Sequence, residues 1–233
     1  MTALLEHAAL LRDQLVALLP VSFDVSSSSV LRLADGTPAG AVDVWRGGPV
    51  RALVSVTLSV PSQGIEGSML HALAEPDSPI PHLTSDLALA DDDLAFGCDL
   101  LPRVEAPLDP DWFEAVYAGL DQIRAGLGSA PSLGGLPVPL RLRALSSPWL
   151  VAARVAPEDY PVAEQVLSAY AGRFAECVLE PPASLVEAAD LAARDSAHLA
   201  ALFDQATDPV WGSFGALVGA EARDAVLGLL QHS

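Results

Sequence analysis

The chain contains no lysine, and its twelve basic residues, all arginine, face thirty acidic ones for a formal net charge of −18. Nucleic acid and anionic lipid are recognised through basic patches, so both are excluded as expected partners. The charge says nothing about fold, but it makes every arginine a candidate for holding an anionic ligand. Cysteine is nearly absent as well. Cys98 and Cys177 are too few and too far apart for a metal cluster or a disulfide framework, and they read as small buried hydrophobes. No apolar run reaches the roughly 18 residues that a membrane span requires. The opening MTALLEHAALLRDQLVALLP lacks a basic n-region and a cleavage site; its charges at helical spacing predict an amphipathic helix over about residues 2–18 and a cytoplasmic protein. GxGxxG, GxxxxGK[ST], GxSxG, HExxH and CxxC are all missing, so nothing supports a bound nucleotide, flavin or structural metal.

What is present is a large apolar fraction, 51% of 233 residues, enough for an extensive core. After the first helix the pattern turns to alternation broken by DGTPAG and RGGP, which predicts hairpin-linked strands near 30–34, 40–46 and 50–60. Further strands are expected at 68–74, 84–90 and 93–101. LDPDWFEAVYAGLDQIRAGL reads as one helix with Asp109 as N-cap and Pro110 in its first turn. LRLRALSSPWLVAARV reads as one or two more strands, and helices are expected at about 158–176, 183–205 and 213–231. With no internal repeat or low-complexity linker, residues 1–233 are expected to form a single α+β domain with helices packed on an antiparallel sheet.

Candidate functional residues emerge from polar positions on these strands. In 94–101 Leu94, Phe96, Cys98 and Leu100 share one face, while Asp99 shares the other with Ala95, Gly97 and Leu101. A carboxylate there must be paired, neutral or used. By the same alternation His82, Thr84, Asp86 and Ala88 oppose Leu83, Ser85, Leu87 and Leu89. If the C-terminal helices cover this second face, its polar groups line a cavity. Asp195 borders the apolar stripe of its helix between Leu199 and Leu202, and Glu75 ends a strand shared with Met69, His71 and Leu73. These are acid–base groups on apolar scaffolding, the means of proton transfer without a cofactor.

The stretch EPDSPIPHLTSDLALADDDLAFGCDLLPRVEAPLDPDWFEAVY resembles the ferredoxin-dependent bilin reductases, and more specifically the red chlorophyll catabolite reductases. LSSPWLVAAR, LAARDSAHLAALF and FGALVGAEARDAVLGLL continue the resemblance in the same order, over roughly residues 65–231. It implies a three-layer α/β/α sandwich with a central antiparallel sheet and a tetrapyrrole held between that sheet and the C-terminal helices. It also implies reduction of an open-chain tetrapyrrole by single electrons from ferredoxin, with no bound cofactor and with protons from carboxyl groups raised in pKa by burial. By resemblance Asp99 is the strand aspartate that protonates the substrate, with His82 and Asp86 beside it, and Glu75 and Asp195 are an acidic pair for proton delivery. Arg141, Arg143, Arg154 and Arg51 are then the cations for substrate propionates. A non-catalytic tetrapyrrole carrier of the same fold is the alternative.

Overall fold

The computed structural model describes residues 3–90 and 93–232. Helix α1 (Ala3–Leu18) leads into β1 (Ser22–Phe23), β2 (Ser29–Arg32), β3 (Pro38–Gly47), β4 (Val50–Val60), β5 (Ile65–Ala74), β6 (His82–Ala90) and β7 (Asp93–Leu101). There follow α2 (Pro110–Tyr117), α3 (Leu120–Gly126), β8 (Gly134–Gly135), α4 (Leu140–Leu145) and β9 (Val151–Val155). Helices α5 (Tyr160–Leu179), α6 (Ala188–Leu202), α7 (Val210–Val218) and α8 (Ala220–His232) complete the chain. The strands form one antiparallel sheet in the order β1-β3-β4-β5-β6-β7-β9-β8, with β2 beside β1 along the outer side of β3. The central hairpins pair sequence neighbours, as the alternation and turns predict.

Helices cover both sheet faces. Leu11 and Leu15 of α1, Trp112 of α2 and Tyr170 and Phe174 of α5 pack on Leu83, Phe96 and Leu100. On the other face Leu199 of α6, Trp211 and Phe214 of α7 and Val226 of α8 pack on Val54, Val56 and Leu73. The architecture is thus an α+β sandwich of three layers. Both cysteines are buried in the first core. Strand β4 is covered on both faces. Its apolar set faces the C-terminal helices, while Leu53 fills the opposite core. At the start of the strand a bulge shifts the alternation: Val50 pairs with Ala74 but Ala52 with Leu73, which leaves Arg51 as the extra residue and puts Val50 in the first core and Ala52 in the second.

Three helix and strand predictions are corrected. The helix expected from 109 onward is broken at Gly119, whose φ of +83° suits glycine and separates α2 from α3. The last helix is likewise interrupted at Gly219, φ +89°. LRLRAL is helix α4, not strand: its Leu-Arg alternation mimics a period of two, and six residues are too few to display 3.6. Only the VAARV half forms a strand, β9. The N-cap expectation holds, since the Asp109 carboxylate accepts the Trp112 amide at 3.1 Å.

Candidate functional site

Between the sheet and the C-terminal helices lies a cavity of about 450 Å³, which continues into a narrower lobe of about 120 Å³. The sheet supplies its floor through Gly67 and Met69 of β5, Asp86 and Ala88 of β6, and Ala95 and Gly97 of β7. Val210, Phe214 and Leu217 of α7 form one wall, and the 136–142 segment with Leu142 of α4 forms another. Small residues on the floor leave the sheet face flat. Asp86 and Asp208 border both lobes, and His71, Thr84 and Phe203 line the narrow one.

Asp86 is the acid of this cavity. Its side chain is 56% exposed, and the walls of the cavity stand around that exposed part. That enclosure, with the negative charge of Asp208 added, raises its carboxyl to about 7, and water in the cavity moderates the effect. Asp208, just ahead of α7, accepts the Val210 amide at 3.0 Å, and burial pushes its pKa up too. His71 Nε2 lies 3.7 Å from Asp86 Oδ1, longer than a hydrogen bond. Neither ring nitrogen of His71 has a hydrogen-bond partner among the described residues, and burial lowers its pKa to about 4, so the imidazole is neutral. Phe203 of the α6–α7 connection holds the ring edge-on at 5.3 Å.

A second polar cluster sits under α6 at the opposite end of these strands. Asp195 Oδ1 accepts His82 Nε2–H at 2.6 Å and is also bonded by Arg103, while Arg51 reaches Oδ2 at 3.3 Å. His82 Nδ1 accepts the Ala74 amide at 3.0 Å, which assigns the neutral tautomer with its proton on Nε2. Burial, then the Arg103 charge, holds His82 down at about 3. For Asp195 burial pulls upward, but His82 and Arg103 outweigh it and keep the carboxyl at about 2. Arg103 is anchored further by the Pro76 carbonyl at 2.6 Å. The cluster is therefore two guanidinium cations around one carboxylate.

No protein-family profile matches the chain, and no curated protein matches it. Among solved structures, phytochromobilin synthase from tomato in complex with biliverdin superposes with a TM-score of 0.73 at 16% identity, over 97% of this chain and 81% of that one. The chain has the bilin-reductase fold.

Within that bilin-reductase fold the expected site residues separate into four groups. Asp86 faces the cavity. Asp195, His82 and Arg51 meet in the buried cluster, where Glu75 contributes its backbone carbonyl to Arg103 at 3.4 Å. Asp99 is fully enclosed: the Ser147 amide donates to its Oδ2 at 2.7 Å and the Ser147 hydroxyl bonds its Oδ1. Burial raises its carboxyl to about 7 against the pull of those bonds. The resemblance assigns the acid to Asp99, but the 146–150 segment covers this end of β7 beyond its pairing with β9, and the cavity wall goes to Asp86. Arg141 and Arg143 flank Leu142 on α4, and Arg154 stands on β9; all three are exposed and make no ion pair among the described residues. Sequence reasoning missed Arg103 and Asp208. Arg103 ends the DLLPR segment, where an arginine closing an apolar strand was itself a signal of a buried partner. Asp208 precedes Pro209 and reads as an ordinary turn.

Proposed function

We propose that the cavity binds an open-chain tetrapyrrole and that the protein reduces it by single electrons from an external donor, ferredoxin, with Asp86 supplying the proton. The observation that carries this reading is the position of Asp86, a carboxyl on a flat floor of alanine and glycine that opens into the cavity. A carboxyl pushed upward from its ordinary range by desolvation and a neighbouring negative charge is suited to general-acid work. The volume of about 450 Å³ falls within the roughly 300–1,000 Å³ of small-molecule sites. The likeness to a protein whose structure holds biliverdin supports the same ligand class. The conjugated system of such a ligand carries the unpaired electron between the two transfers, and the chain's part is to hold the ligand flat and deliver protons. Arg141, Arg143 and Arg154 are the unpaired cations near the 136–142 wall and would take the propionates.

The test is a visible absorption titration with biliverdin, repeated anaerobically with ferredoxin, ferredoxin reductase and NADPH. A shifted spectrum that bleaches or moves to the blue on reduction supports the reading. A shift that persists unchanged reassigns the protein as a carrier, and no shift refutes it. Because the chain carries −18 and ferredoxin is acidic, the reduction rate should rise with added salt as mutual repulsion is screened.

A further inference from the structure

Asp99 is the buried titratable group that the cavity chemistry leaves over. The register places it in a lateral row on the cavity face: His71 opposes Thr84, and Thr84 opposes Asp99. Directly opposed residues in antiparallel strands bring their Cβ atoms to about 4.5–5.5 Å. Neither the Thr84 hydroxyl nor the His71 ring has a hydrogen-bond partner among the described residues. At the far end, His71 Nε2 stands 3.7 Å from Asp86 Oδ1. One lateral row thus holds a sealed carboxyl, a hydroxyl and an imidazole and ends beside the carboxyl in the cavity, with no hydrogen bond between its members in this resting arrangement.

We propose that Asp99 is the proton store of the site, its carboxylic acid reprotonating Asp86 through the Thr84 hydroxyl and the His71 imidazole. The inference rests on the reduction reading. Adding two electrons across a double bond, one at a time from the external donor, takes up two protons. Asp86 gives the first and becomes a carboxylate. The Asp99 proton then passes to the Thr84 oxygen as the Thr84 proton moves to one nitrogen of His71. The proton on the other ring nitrogen moves to Asp86, which can give the second. Asp99 ends as the carboxylate, and charge and atoms balance. After the product leaves, cavity water recharges Asp99 along the same row, because Ser147 closes its other side.

The electrostatics agree. Burial brings both carboxyls to about 7, so no steep gradient separates donor from acceptor. Asp208 is the charge that faces Asp86. Around Asp99 stand Cys98, Tyr117 and Tyr170, all pushed up by burial and neutral, and Arg124 pulls weakly the other way.

The store is testable in the ligand-free protein. After a jump from acid to alkaline pH, infrared spectroscopy follows loss of the Asp99 carboxylic-acid band, identified as the one missing in Asp99→Asn. If that variant does not fold, Ser147→Ala identifies the band by shifting it. Thr84→Val should slow the loss at least tenfold, and Thr84→Ser should restore it; an unchanged rate in Thr84→Val overturns the store. In the biliverdin complex, Thr84→Val should keep the first reduction phase and slow the second at least tenfold, and equal second phases also overturn it. Slow release in Thr84→Val without any biliverdin binding would fail the reduction reading and leave the relay standing.

Discussion

Replacing Asp195 by asparagine removes one negative charge from between two cations and changes almost nothing in size. Arg103 is 4% exposed and cannot reach water, while Arg51 retains a narrow outlet. His82 would keep an acceptor in the amide oxygen, so the loss falls on the guanidinium groups. Breaking a buried pair by removing one partner costs about 3–5 kcal/mol, because the remaining charge stays desolvated. For a chain of this size each kcal/mol lowers Tm by about 2–4 °C, so Asp195→Asn should melt about 6–20 °C below the wild type. Thermal unfolding at neutral pH, supported by urea titration, measures it. The double variant Asp195→Asn, Arg103→Met takes away the more deeply buried cation and leaves His82 its amide acceptor, and it should recover much of the loss. A single-variant loss below about 1 kcal/mol would be the size of an exposed salt bridge and would refute the claim that this cluster is dry.

Asp99→Asn gives a pH signature. The folded carboxyl titrates at about 7 and the unfolded one at about 3.9. The folded wild type therefore holds an extra proton between those values, and the stability that proton confers is lost as pH rises. Relative to wild type, the asparagine variant should gain about 1.4 kcal/mol per pH unit between pH 5 and 7 in urea unfolding, and parallel profiles would contradict the raised pKa. Asp86→Asn should leave biliverdin affinity within about twofold in a spectroscopic titration while slowing single-turnover reduction about 10²–10⁴-fold, the range for loss of a general acid. An undiminished rate would remove Asp86 from proton transfer. Asp109→Ala should cost about 1–2 kcal/mol by urea unfolding as a lost N-cap. The same carboxylate also accepts the Leu185 amide at 2.7 Å, so proteolysis near residues 183–187 should quicken in step.

Much of the sheet was legible because alternation survives wherever a strand has one face toward each helical layer, as in 93–101. The two-faced design also pointed correctly to a cavity beneath the C-terminal helices. What the sequence hides is which polar residue on that face reaches open space. Asp86 and Asp99 have equivalent parity on neighbouring strands, and only the 146–150 segment, reaching across from beyond α4, buries one and spares the other. The same obstacle hid the buried cluster: Asp195 and Arg51 are 144 positions apart, and a one-residue bulge redirects Arg51. Short elements were misread for a local reason, since six residues of LRLRAL cannot establish a helical period.

The margins of the sheet have a consequence of their own. On one side β3 is bordered by strands of two and four residues, and on the other β9 is bordered by the two-residue Gly134–Gly135 pair. A long bare ladder of amide and carbonyl groups is the template on which neighbouring molecules polymerise. Here each border is already occupied by a strand too brief to seed another, so a nine-stranded sheet can remain finite in a concentrated solution without a barrel's closure.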